Sequence, residues 1–173
     1  DSIENGGLGL TTQDVGFIGG VIGVAALTAG GISGGVTLSK WGLKRCLWPM
    51  VLSMNIPNIL YWFASTTASS KLLVYFIVAI DQFGYGFGFS AYMVYLMFIA
   101  QDSKSQSAHF AISTGLMALG AMSAGAVSGY VQEWLGYSGF FIATIVLSIP
   151  GMLILAFLPL DKKDLYPVDN IEI

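Results

Sequence analysis

The chain has 173 residues, of which 55% are hydrophobic and only 10% charged, where a soluble domain carries about 25% charged residues. The net charge is −3, the pI about 4.8 and the mean hydropathy +0.73, so the basic stripe that nucleic-acid binding requires is missing. One cysteine, Cys46, rules out an intrachain disulfide and a cysteine-rich metal site.

The first element is Val15–Leu38, a run with no charge and many Gly and Ala residues. At about 1.5 Å of rise per residue it is long enough for the ~30 Å of hydrocarbon in a bilayer. Each Gly would weaken a soluble helix by about 1 kcal/mol. In lipid the backbone has no water to bond instead, and small side chains let helices approach closely. Gly16, Gly19, Gly23, Ala26, Gly30 and Gly34 recur at helical spacing, which marks Gly16, Gly23 and Gly30 as packing positions. The run starts too late, is too long and lacks preceding basic residues for a cleavable signal peptide. Because the chain opens on Asp1, a piece of a longer protein is expected.

The loop Ser39–Arg45 carries Lys40, Lys44 and Arg45, and the second span follows at Cys46–Ala64. Cys46 reads as a small hydrophobe. Asn55 and Asn58 flank Pro57, and their amides are expected to satisfy the carbonyl that a mid-span proline frees.

The third span, Leu72–Ala100, holds one acid, Asp81. Asp81 lies about 14 Å along the helix, close to the bilayer midplane. An acid there costs a few kcal/mol and ordinarily faces a cavity or a partner. Asp81, Tyr85, Gly88, Tyr92 and Tyr95 form a polar and aromatic stripe. A solute or proton site at Asp81, Gln82, Tyr85 and Tyr92 is one reading. A structural partnership between Asp81 and a Lys, Arg or backbone donor on a helix outside this chain is the other. The run Gly84-Tyr85-Gly86-Phe87-Gly88 lacks the strand and Lys of a phosphate loop, and reads as a bend or a close contact point.

After Gln101–Ser107 comes a fourth span at 108–131, with Ala111, Gly115, Ala118, Gly125 and Gly129 on one face. The fifth is Ser138–Leu160, and a tail occupies 161–173. The fold expected is an all-α polytopic membrane bundle of five transmembrane helices. Lys40, Lys44, Arg45, Lys104, Lys162 and Lys163 fall on one side and only Lys71 on the other, which makes the C-terminus cytoplasmic. Residue 1 is then external, and an odd number of earlier spans is expected. No nucleophile–base pair, metal cluster or carboxylate dyad is present in the sequence, so neither catalysis nor a cofactor is expected.

The segment Gly35-Val-Thr-Leu-Ser39-Lys40-Trp-Gly42-Leu-Lys44-Arg45 resembles the loop signature G-x-x-x-D-[RK]-x-G-[RK]-[RK] of the major facilitator superfamily. Ser39 replaces the acid and Leu43 the first basic residue. The resemblance implies that the spans are helices 8–12 of a twelve-helix transporter, with the N-terminal half missing. It makes Gly35, Lys40, Gly42, Lys44 and Arg45 a conformational loop and places Asp81 on a cavity-lining helix. The stretch Asp81–Ala91, with Gln106–Ala111 and Ile149-Pro150-Gly151, is similar to the muropeptide permease (AmpG-type) branch. That likeness implies a proton-coupled permease of the bacterial inner membrane, taking up a polar solute such as an anhydromuropeptide. The partners implied are that solute, a proton, the bilayer and the missing half. A drug or lipid exporter of the same fold and a non-transporting membrane scaffold or receptor stand as the alternatives.

Overall fold

The computed structural model describes residues 10–67, 70–100 and 104–158. The tail 161–173 with its Lys162 and Lys163, the end of the fifth span and Asp1 lie outside the described residues. Every regular element among the described residues is helical. We number them α1 (Thr12–Trp41), α2 (Leu43–Thr66), α3 (Lys71–Ala100) and α4 (Gln106–Leu155). Among them α1, α3 and α4 are long and apolar enough to cross a membrane.

A capping box opens α1: the Asp14 amide donates to Thr11 Oγ1 at 3.1 Å, and the Thr11 amide donates to Asp14 Oδ2 at 2.9 Å. Residues Ile18–Gly23 then adopt a π-helical turn before the α-helix resumes at Val24. Bonding to the fifth residue rather than the fourth takes in one surplus residue. Side chains before and after it are therefore out of phase by about 100° relative to an unbroken helix.

The basic loop contracts to a single residue. α1 runs through Trp41 and α2 starts at Leu43, with only Gly42 between. Gly42 sits at φ 74°, ψ 161° and donates its N–H to the Leu38 carbonyl at 2.9 Å. That conformation is essentially reserved for glycine.

The fourth and fifth spans join in one element, α4, interrupted at Gly136 with φ 68°, ψ 172°. This nearly duplicates Gly42, and the chain reverses there. Tyr92 near the C-terminal end of α3 donates to the Ser113 carbonyl at 3.4 Å. Leu155 returns to the same end and packs on the cluster of Leu38, Leu43, Cys46, Leu47, Met50 and Ala91. Between them, Phe141 stacks on Tyr61 near the far end of α2. The expected connector 132–137 is thus reduced to one glycine turn. Cys46, 4% exposed within that cluster, is a packed apolar residue.

α3 lies between α1 and α2, parallel to the first and antiparallel to the second. Its Gly-x-Gly-x-Gly run makes this possible without a bend. A Cβ on Gly86 would collide with the Leu27 carbonyl, and one on Gly30 of α1 with the Phe83 carbonyl. On the other side, a Cβ on Gly84 would collide with the Ser53 carbonyl, and one on Gly88 with Met54 and the Met50 carbonyl. Gly84 and Gly88 share one face and Gly86 takes the opposite one. Two hydroxyls tie the crossings: Ser90 Oγ donates to the Gly31 carbonyl at 3.0 Å and Ser53 Oγ to the Gly84 carbonyl at 3.2 Å.

Pro57 leaves the Ser53 carbonyl without its helical donor. The Asn55 amide does not take that role, because it donates to the Val51 carbonyl at 2.8 Å. The freed carbonyl instead lies against Gly84, where a Cα–H contact offers weak compensation.

Candidate functional site

Asp81 projects from α3 toward α2, half-buried, and accepts a hydrogen bond from the Tyr61 hydroxyl at 3.2 Å. The neighbouring Gln82 amide donates to the same carboxylate oxygen at 3.4 Å. The second carboxylate oxygen is not used by either. Gln82 also lies against α1, where a Cβ on Gly23 would stand 3.4 Å from its Cγ. The end of the π-helical turn, Gln82, Asp81 and Tyr61 therefore form one polar layer across three helices.

Tyr61 was missed as a site residue. Near the end of its span it reads as an interfacial anchor, yet Met50, Met54, Pro57, Tyr61 and Ala64 recur at three- and four-residue intervals. That spacing defines the face of α2 turned to α3. The Tyr61 ring also stacks on Phe141, with centroids 5.5 Å apart and planes at 10°, so the carboxylate is linked through one side chain to the second half of α4.

The rest of the predicted stripe divides. Tyr85 and Tyr92 remain on one face, bridged by Phe89, whose centroid lies 5.8 Å from Tyr85 and 5.9 Å from Tyr92. Tyr85 is 44% exposed, so this aromatic strip borders open space beside Gln82. Gly88 turns into α2, and Tyr95 packs on the cluster at the Gly42 end. Neither faces that space.

Among the predicted packing glycines, Gly23 and Gly30 meet α3, whereas a Cβ on Gly16, Gly125 or Gly129 would meet no neighbouring group within 4 Å among the described residues. Of the loop residues, a Cβ on Gly35 would likewise meet no neighbouring group within 4 Å among the described residues, and Lys40, Lys44 and Arg45 are exposed around the Gly42 turn. No group of three or more His, Cys, Asp or Glu able to hold a metal occurs among the described residues.

At the opposite end Lys71 binds Asp14 at 2.8 Å, and Tyr75 donates to the other Asp14 oxygen at 3.1 Å. Asp14 precedes the uncharged run and lies outside the spanning segment. The Lys71 ammonium, aided by Thr11, holds its carboxyl well below the usual carboxylate range.

No family model matches the chain. It is similar to the anhydromuropeptide permease of Escherichia coli (strain K12), with 28% identity over 86% of this chain and 30% of the relative. A protein of Rickettsia conorii named as an AmpG transporter is 22% identical over 82% of this chain and 34% of its own length. A Haemophilus influenzae protein is 27% identical over 91% of this chain and 39% of its own length. The chain thus spans about a third of the curated relatives it matches. Those whose names state an activity are named for transport rather than catalysis. Long apolar helices and permease relatives together mark an integral membrane protein. Over most of its own length, the chain is similar to the AmpG-type permeases.

Proposed function

We propose that these residues form helices 8–12, five transmembrane spans, of a major-facilitator-type secondary transporter that works by alternating access. Its solute is polar, of the anhydromuropeptide class, and its uptake is coupled to protons across the bacterial inner membrane. The N-terminal half of the parent protein closes the other side of the cavity, and the C-terminus is cytoplasmic. The single observation that carries this reading is the polar layer at Asp81. A carboxylate, an amide and a phenol meet about a third of the way along the apolar helix α3 and open onto an aromatic strip. A carboxylate at that depth is costly unless it borders water or a partner. Tyr61 supplies one partner, and the exposed flank by Tyr85 supplies the approach for solute and water.

In this reading Asp81 takes a proton when the cavity faces outward and releases it inside. Gln82 offers donor and acceptor groups to the solute, and the Tyr85–Phe89–Tyr92 strip offers flat faces to a sugar ring. The glycine crossings of α1, α2 and α3 hold that layer in register. The likeness to a named anhydromuropeptide permease supports the solute class.

The test uses the full-length parent protein in proteoliposomes under an imposed pH gradient. Asp81→Asn keeps the shape but cannot carry the proton, so gradient-driven uptake should be abolished while solute binding persists. Full proton-driven uptake by Asp81→Asn overturns the role of Asp81. Competition by apolar dyes but not by sugar-peptides would instead identify an exporter of apolar solutes.

A further inference from the structure

At the Gly42 end, a groove of about 350 Å³ opens between α1 and α2, lined by Thr37, Trp41, Arg45, Cys46, Pro49 and Phe87. It arises because α1 and α2 both pack on α3 and meet each other chiefly at their shared turn, leaving Phe87 of α3 as the floor. Its walls are almost wholly apolar, and one charged side chain, Arg45, stands in its lining. Lys40 and Lys44 flank that position in sequence and are exposed. Among the described residues, none of these three cations has an ion-pair partner. The described acids lie elsewhere: Asp14 is held by Lys71, Asp81 by Tyr61, and Glu133 precedes the Gly136 turn.

We propose that this groove binds one anionic phospholipid, with the headgroup phosphate on Arg45, supported by Lys40 and Lys44, and an acyl chain laid along Cys46, Pro49 and Phe87. Two independent features select this occupant. The first is charge: a basic triad with no ion-pair partner among the described residues, beside an apolar cleft, complements a ligand that is anionic at one end and hydrocarbon at the other. The second is depth. Trp41 in the lining and Trp48 beside it are 58% and 42% exposed, and exposed tryptophans of a membrane helix mark the headgroup level. Arg45 then stands at the phosphates and Phe87, farther from the turn, within the hydrocarbon. A guanidinium suits this position because its fork can bind two phosphate oxygens at once. This site is separate from the Asp81 layer, so its test does not depend on transport.

The experiment is native mass spectrometry of the full-length parent protein in detergent, with dioleoyl phosphatidylglycerol and dioleoyl phosphatidylcholine added in parallel. One phosphatidylglycerol should be retained per protein at concentrations where phosphatidylcholine is washed away. Arg45→Gln should weaken retention about fivefold, the ratio expected for one interfacial cation, and Lys44→Gln should add to that loss. Thr37→Phe fills the groove without altering charge and should abolish retention, and a matched melting temperature would show that it folds. Equal retention of both lipids, or undiminished phosphatidylglycerol on Thr37→Phe, overturns the proposal. So does displacement of the lipid by glycerol phosphate alone, which would reveal a headgroup-only site. A groove filled by another segment of the parent chain would retain no lipid and overturns it equally.

Discussion

Gly86→Ala offers the sharpest test of how the three helices are held. The added methyl would be driven into the Leu27 carbonyl and would come within 3.0 Å of the Gly31 nitrogen. Both are backbone groups of α1 and cannot rotate aside, so the helices must separate. Overpacking of this kind costs about 1–3 kcal/mol. Separation would also stretch the bond from Ser90 Oγ to the Gly31 carbonyl, now 3.0 Å, and an interhelical hydrogen bond within a membrane averages about 0.6 kcal/mol. The expected loss is about 2–4 kcal/mol, and 2 kcal/mol alone shifts the folding equilibrium about 30-fold. Gly16→Ala is the control, because among the described residues its methyl meets no neighbouring group within 4 Å. It should leave stability unchanged or raise it by up to about 1 kcal/mol through helix propensity. Reversible unfolding of the parent protein in mixed micelles, by titration of a denaturing detergent, measures both. If Gly86→Ala unfolds no earlier than Gly16→Ala, the close crossing of α1 and α3 does not hold the bundle together.

Tyr61→Phe removes the donor to Asp81 but keeps the stack on Phe141; solute uptake should fall while stability changes by no more than about 1.5 kcal/mol, the range for one hydrogen bond, as read by paired uptake and unfolding assays. Gly42→Ala and Gly136→Ala should each cost about 1–3 kcal/mol because their backbone angles are strained for any side chain, and an alanine at Gly136 that proves neutral would refute that cause, since no neighbour crowds it. Asp14→Asn should lower the melting temperature at neutral pH. Because the folded carboxyl titrates below its unfolded value near 3.9, the native advantage over Asn should be full above about pH 5 and decline as the pH falls below it. Added salt should shrink that advantage, because the Lys71 side chain is exposed.

The helical class, the limits of α3 and the closeness at Gly84–Gly88 were all legible, since uncharged length and glycine spacing act locally along one chain. Asp81 stood out for the same reason, as the one acid in an apolar run. What escaped was relational. In an unbroken helix Gly16 would share the face of Gly30, and Asp14 would stand about 160° from it. The surplus residue in the π-helical turn rotates the earlier segment by about 100°. That turns Gly16 away from α3 and brings Asp14 round to Lys71 and Tyr75. A periodicity count assumes one constant pitch and cannot register such a slip. Tyr61 escaped because its role exists only where α2 crosses α3. The Ser53 carbonyl, freed by Pro57, reads from sequence as a partner for nearby amides, and it meets a glycine on another helix instead.

The glycine turns at Gly42 and Gly136 carry a mechanical consequence. Consecutive Cα atoms are about 3.8 Å apart, so a one-residue link pins its two helices together like the closed end of tweezers. α1 and α2 can splay only at the end that holds Asp14 and Thr66, and the two arms of α4 only at the end that holds Ser113 and Leu155. These ends lie at opposite faces of the bundle. Each hairpin is thereby a one-sided clamp, and no single spreading motion can loosen both faces together.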